Sequence, residues 1–388
     1  MNDLYINRNL EKEMIEAKKY FPVMTITGPR QSGKTTIIKK VFNELPYLSL
    51  EDLDIRAFAI NDPRGFLLQN SQGLILDEVQ NTPQLLSYIQ TIVDENPSYK
   101  YVLSGSAQFS VLHQITQSLA GRTAMFELLP LSISELTNSN KLYNLNKTLF
   151  SGFYPAIYAD RNIPKYLYPS YIKTYIERDV RDILNIKDLH TFQIFLKLCA
   201  GRIGSILNIS ELANEVGVAV NTIKSWLSIL EASYIITLLP PYFENSRKRL
   251  IKSPKLYFYD TGLACALLDI NEEETLNHDK MRGHLFENMI ITDFIKQRFN
   301  SGKANDLSFY RDSNGNEIDL LIPNKNNFTA LEIKSSSTYH TDFQKGFKSI
   351  SETLAPKLTN KVIVYTGDLE NLSSDIKLIN WQNVHKLM

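Results

Sequence analysis

One octapeptide narrows the possible folds of this chain more than any other feature. Gly28-Pro29-Arg30-Gln31-Ser32-Gly33-Lys34-Thr35 matches the pattern G-x-x-x-x-G-K-[ST] at every fixed position. That pattern works between a strand and a helix, and both flanks provide them. Val23-Met24-Thr25-Ile26-Thr27 reads as a buried strand, and Thr36-Ile37-Ile38-Lys39-Lys40-Val41-Phe42 has helical spacing. Gly28 and Gly33 let the backbone curl until successive N–H groups face one phosphate chain, while the helix N-terminus adds partial positive charge. On this reading residues Gly28 to Thr36 cradle ATP. Lys34 reaches its β- and γ-phosphates, and the Thr35 hydroxyl holds Mg²⁺.

Two further apolar strands end in polar residues suited to the same ligand. Gly73-Leu74-Ile75-Leu76 delivers Asp77-Glu78, where Asp77 would contact Mg²⁺ through water and Glu78 would polarise the attacking water. Lys100-Tyr101-Val102-Leu103 ends in Ser104-Gly105-Ser106. Either Ser104 or Ser106 senses the γ-phosphate or orients the water, or the segment is a plain Ser-Gly turn. All three motifs sit at the carboxyl ends of strands, where open α/β sheets bind ligands. A fourth strand, Thr123 to Leu128, follows Leu119-Ala120-Gly121-Arg122.

With Leu76-Asp77-Glu78-Val79-Gln80 and Leu129-Pro130-Leu131-Ser132, these segments resemble the AAA-like ATPases that carry a C-terminal domain of the DUF4143 type. The resemblance implies a core of parallel strands in the order 5-1-4-3-2. It also makes Arg122 an arginine positioned for a neighbour's or its own γ-phosphate. From the sequence alone, Arg122 can equally cap a helix C-terminus.

At 388 residues the chain is too long for one ordinary core. Its apolar runs, such as Tyr234 to Leu239, are too short to cross a bilayer. Asp3, Arg8, Glu11, Lys12 and Glu13 do not suit a secretory leader. Cys199 and Cys265 lack metal-ligand spacing and read as buried free thiols, so the expected location is the cytoplasm. Lys and Arg number 42, and so do Asp and Glu. With no net charge, any nucleic-acid contact has to come from local patches.

From Ser134 to about Leu207 the pattern turns helical. The charge alternation from Tyr171 to Asp182 reads as a solvated, salt-bridged face rather than a lid offering Arg178 or Arg181 to nucleotide. Asn208 to Val216 then reads as a short helix, Gly217 as a turn, and Thr222 to Ala232 as a second helix. Leu212, Ala213, Val216, Val218, Ile223, Trp226, Leu227 and Leu230 fall where a helix-turn-helix needs core contacts. The outer side of the second helix offers Asn221, Thr222 and Lys224 to phosphates or base edges. Ile235 to Leu239 and Lys255 to Tyr259 look like wing strands. Arg247-Lys248-Arg249 lies between them, with Lys252 and Lys255 close behind. The segment is similar to a winged helix, which serves either DNA or protein contacts. The basic wing favours DNA.

A last constellation lies between Gly283 and Lys334. A helix carries Glu287, one strand carries Asp319, and the next carries Glu332-Ile333-Lys334. Alternation puts Glu332 and Lys334 on one strand face. Paired carboxylates that hold divalent ions beside a lysine are the chemistry of a metal-dependent phosphodiesterase. The set looks like the PD-(D/E)xK nuclease superfamily, although Ile318 stands where that pattern has proline. It implies Glu287, Asp319 and Glu332 as metal ligands and Asp319, Glu332 and Lys334 as nuclease residues. A strand with exposed Glu and Lys is the alternative.

The expected fold class is therefore α/β. It comprises an AAA-type P-loop NTPase core (1–133), a helical lid (134–205), a winged helix-turn-helix (206–262) and a restriction-endonuclease-like α/β domain (263–388). The expected activity is Mg²⁺-dependent ATP hydrolysis on DNA. Its catalytic residues are Lys34, Glu78, Arg122, Ser104 and Ser106. Expected partners are ATP, DNA and further copies of the chain, and no membrane. The alternative is an ATP-gated interaction protein whose nuclease-like domain does not cut.

Overall fold

A computed structural model describes residues 5–105, 118–159, 163–180, 188–242, 253–312, 314–354, 357–370 and 375–387. Two compact units make up the chain. The first is Met1–Leu131 with Ala232–Tyr234 and Arg298–Lys303, and the second holds the remainder.

The first unit is built on strands β1 (Val23–Thr27), β2 (Tyr47–Ser49), β3 (Gly73–Asp77), β4 (Lys100–Ser104) and β5 (Thr123–Glu127). Every pair is parallel, in the order β2-β3-β4-β1-β5. Read from the β5 edge, this is the order the resemblance implies. The sequence reading missed β2, which is three residues long and half-buried. Strand residues alternate between two apolar layers, as a period of two requires. Val23, Leu74, Leu76, Tyr101 and Leu103 pack on one side, and Met24, Ile26, Ile75 and Val102 on the other. A parallel sheet covered on both faces has this composition.

The second unit carries an antiparallel hairpin, β6 (Ile236–Leu239) with β7 (Lys255–Phe258). Its main sheet comprises β8 (Ser308–Arg311), β9 (Glu317–Asn324), β10 (Asn327–Lys334), β11 (Leu358–Tyr365) and β12 (Ile376–Asn380), in the order β12-β11-β10-β9-β8. The β8-β9-β10 part is antiparallel, whereas β10-β11-β12 is parallel. Parallel neighbours need a crossover, and helix Lys345–Leu354 lies in the chain between β10 and β11. It seats Phe347 and Ile350 on Leu321, Ala330 and Ile363. Helix Arg282–Asn300 buries residues on every side, including Leu285, Phe286, Met289, Ile290 and Phe294. That is the pattern of an interior helix.

Candidate functional site

In the first unit the phosphate loop leaves the carboxyl end of β1. Gly28 has φ 146°, and a Cβ there would lie 2.2 Å from the Leu128 carbonyl oxygen, so only glycine fits. Gly33, at φ 96°, caps helix Lys34–Val41. The Ser32 hydroxyl is fully buried and has no hydrogen-bond partner. Buried polar atoms are seldom left unmatched except where a ligand completes them. Arg8 secures the loop from behind: its Nη1 donates to Ser32 O at 2.8 Å and its Nη2 to Leu129 O at 2.6 Å.

Lys34 folds back over this loop. Its ammonium donates to the Gly28 and Pro29 carbonyls at 3.0 and 2.9 Å. Burial pushes its pKa down to about 8, against the opposing charges of Glu78 and Asp77. The Thr35 hydroxyl donates to Asp77 Oδ2 at 2.9 Å. Tyr47 Oη donates to the same oxygen at 2.6 Å, and Ser104 Oγ donates to Asp77 Oδ1. Glu78 sits at φ 56°, in the left-handed region where a side-chain-bearing residue is strained, and its Oε2 accepts from Gln80 Nε2. The site therefore joins Lys34, Thr35, Asp77, Glu78 and Ser104. An orphaned hydroxyl, a lysine held only by carbonyls and a paired hydroxyl and carboxylate fit a nucleotide phosphate chain with its Mg²⁺.

Two expected members stand apart. Val23 N–H bonds to Arg122 O at 3.2 Å, so Arg122 lies level with the start of β1, about 16 Å from the loop at its end. Its Nε and Nη2 bind Asp94 at 2.6 and 2.7 Å. This corrects the expectation that Arg122 reaches its own chain's γ-phosphate. Ser106 lies outside the described residues.

In the second unit, helix Ile209–Val216 starts where the Asn208 side chain accepts the Glu211 N–H, and it stops at Gly217, φ 80°. Helix Val220–Ala232 buries Ile223, Trp226, Leu227 and Leu230, with Trp226 against Phe192 and Phe195. Asn221 and Lys224 are exposed and Thr222 is half-buried. Arg247, Lys248, Arg249, Lys252, Arg181 and the Arg178 side chain lie outside the described residues. Lys255 does not belong to a basic wing surface: it is 2% exposed.

It belongs instead to the carboxylate cluster. Lys255 Nζ lies 2.5 Å from Glu317 Oε1 and 3.2 Å from Glu287 Oε1. Tyr257 Oη donates to the same Glu287 oxygen at 2.6 Å. Lys334 Nζ lies 2.5 Å from Glu332 Oε2 and 3.2 Å from Asp319 Oδ2, and Asp319 Oδ2 also accepts the Ile333 N–H at 2.7 Å. Glu332 and Lys334 share a face, as alternation requires. Burial, followed by the Asp319 charge, pushes the Glu332 pKa up to about 8. Burial also raises Glu287. Asp319 goes the other way: burial would raise it, but Lys334 and Lys255 hold it below the ordinary carboxylate value. Among the described residues no group of three or more His, Cys, Asp or Glu side chains is arranged to hold a metal ion. Glu287, Asp319 and Glu332, expected as a metal shell, form no such group: Lys334 pairs with Asp319 and Glu332, and Lys255 with Glu287 and Glu317.

Residues 20–137 match the family model described as an AAA domain, and residues 282–384 match domain of unknown function DUF4143. Residues 142–274 match a further domain of unknown function, DUF8612. An uncharacterized protein of Mycobacterium tuberculosis and one of Mycobacterium bovis are each 29% identical to this chain over 354 residues, spanning 89% of it and 77% of each relative. A Walker-type ATPase of Pyrococcus abyssi is 14% identical with a TM-score of 0.42, covering 69% of this chain and 97% of that one.

Sequence reasoning missed Arg8, Tyr47, Tyr257 and Glu317. Arg8 and Tyr47 carry no motif and act from distant positions. Lys255 did carry a signal: a lone lysine opening the apolar run Leu256-Tyr257-Phe258.

Proposed function

We propose that the chain is a Mg²⁺-dependent ATPase that binds DNA through the helix pair and hairpin of its second unit. The observation that carries the ATPase reading is the 2.9 Å hydrogen bond between Thr35 and Asp77, two motif residues 42 positions apart. ATP supplies a transferable γ-phosphoryl group, and Mg²⁺ neutralises the charge it develops. Lys34 exchanges its two carbonyl partners for phosphate oxygens. The Ser32 hydroxyl and the loop N–H groups supply further donors. Thr35 and Asp77 would hold the ion, and Ser104 fixes the Asp77 carboxylate. Glu78, steadied by Gln80, orients the attacking water. Arg122 is left with only a neighbouring copy's phosphate to contact, so its role depends on self-association.

Exposed Asn221 and Lys224 on helix Val220–Ala232 support DNA contact in the manner of a winged helix. The mixed sheet with Glu332 and Lys334 on one face supports a nuclease-like relationship for the C-terminal module. The lysine-paired acids favour a module that does not cut. Purified protein with ATP and Mg²⁺, alone or with linear, branched and single-stranded DNA, tests this through phosphate release and strand integrity. DNA-stimulated phosphate release with intact strands is expected. No release would sink the ATPase reading. Release that ignores DNA, together with no DNA binding, would sink the second half.

A further inference from the structure

The nuclease-like resemblance implies divalent ions among Glu287, Asp319 and Glu332 beside Lys334, but a second lysine that the pattern lacks, Lys255, pairs with Glu287. Two lysines stand there, and each bridges two carboxylates. Lys334 spans Asp319 and Glu332, while Lys255 spans Glu287 and Glu317. Bridging two acids is what a bound cation does in such a cluster. Lys334 belongs to the same strand as Glu332, but Lys255 comes from β7, 32 positions before Glu287.

We infer that Lys255 is a built-in replacement for a divalent cation. Its ammonium bridges Glu287 and Glu317, with Arg311 as a second cation on Glu317, so the wild-type cluster takes no metal. Three features show that this lysine is placed by the fold. Its side chain is 3% exposed, so its charge has no bulk water to retreat to. Its backbone is fixed from two sides: Lys255 pairs with Leu239 in the hairpin, while Leu207 N–H bonds to Pro254 O at 2.8 Å and Gly204 N–H to Leu256 O at 3.0 Å. Tyr257, two residues along the same strand face, brings a hydroxyl to the Glu287 oxygen that Lys255 contacts. One strand thus delivers both a charge and a donor to one acid. A flexible surface lysine would have none of these restraints. Arg311 Nη1, 3.0 Å from Glu317 Oε2, balances that acid's other oxygen. The assignment goes beyond the ATPase reading and holds whether or not the protein binds DNA.

The test is nucleotide-free Mn²⁺ titration of the full chain, read by electron paramagnetic resonance of the free ion and by thermal unfolding. Wild type should bind no Mn²⁺ at the cluster, and a chelator should leave its melting unchanged. Lys255→Met frees Glu287 and Glu317 and should gain one Mn²⁺ per chain with at least about tenfold tighter binding, the ion raising its melting temperature. Lys255→Met/Glu287→Gln should lose that gain, which separates the cluster from the phosphate-loop site. Should Lys255→Met be unfolded in buffer alone, refolding on Mn²⁺ addition supports the inference and failure to refold counts against it. Wild-type Mn²⁺ binding that disappears in Glu287→Gln, or no gain in Lys255→Met, overturns it. Loss of ATP turnover in wild type would leave all these readouts intact, so the two proposals fail separately.

Discussion

Lys34 in the first unit and Lys255 in the second are 8% and 2% exposed, yet their ammonium groups meet different partners. Lys34 is held by two backbone carbonyls, beside a buried hydroxyl with no partner. Lys255 is held by two carboxylates with a tyrosine alongside. Burial lowers the Lys34 pKa to about 8, with Glu78 and Asp77 opposing it only in part. For Lys255 burial also pulls downward, but Glu287, Asp319 and Glu317 outweigh it and raise its pKa. A buried charge with no carboxylate bonded to it marks a place completed from outside, whereas one bonded to two carboxylates is already complete.

The largest expected effect tests the complete side. Lys255→Met leaves Glu287 and Glu317 facing each other without their cation, and should cost about 3–5 kcal/mol at neutral pH in denaturant unfolding. A cost below about 1 kcal/mol would break the contrast, since it would make Lys255 an incidental pair. On the open side the loss should fall on turnover instead. Lys34→Ala and Glu78→Gln should each slow phosphate release about 100- to 1,000-fold, as removal of a single charge-stabilising group commonly does. They should then divide: Lys34→Ala weakens nucleotide binding, whereas Glu78→Gln keeps ATP bound and uncleaved in a filter-binding assay.

Proton linkage sharpens the same comparison. The folded Lys34 loses its proton near pH 8 and the unfolded one near its ordinary 10.5. Between those values the unfolded chain binds more protons, so this group makes the nucleotide-free protein more stable as pH rises from about 8 to 10.5. ATP affinity should move oppositely, falling several-fold between pH 7 and 9 as the ammonium is lost. Calorimetric titrations with a flat affinity across that range would remove Lys34 from the phosphate contacts. A comparable effect belongs to Arg8. Arg8→Ala releases the Ser32 and Leu129 carbonyls, and kcat/KM should drop about tenfold, or about 1.4 kcal/mol. Arg8→Lys keeps the charge without the fork and should recover only part of that loss.

Much of the first site was legible because its chemistry is written in consecutive residues. Gly28 to Thr35 is a contiguous loop, and Asp77 and Ser104 each end an apolar strand, so local pattern and spatial position coincide. The two-layer alternation of Leu74, Ile75 and Leu76 was equally open to reading. The second site resisted for the opposite reason. Glu332 and Lys334 were found through strand alternation, and Glu287 and Asp319 through order along the chain. Lys255 was assigned to a solvated wing because charge near other charges reads as surface. Only the packing of β7 reveals that its ammonium points inward. Arg122 failed differently: its neighbours in sequence are right, but parallel strands put the start of β5 at the far end of the sheet from the loop.

Thr27 closes the strand that carries the phosphate loop, and its hydroxyl lies 3.0 Å from Tyr234 Oη, 207 residues further along. Gly302 comes later still, and a Cβ added there would lie 3.7 Å from Glu13 Oε2 and 4.0 Å from the Phe126 ring. During synthesis at about 5–20 residues per second, roughly 10–40 s separate Thr27 from Tyr234. The loop and its sheet thus leave the ribosome well before the residues that finish their unit. A fragment cut after Leu131 omits both late pieces, Ala232–Tyr234 and Arg298–Lys303, so the first unit is closed only by chain that follows about a hundred and then about sixty further residues.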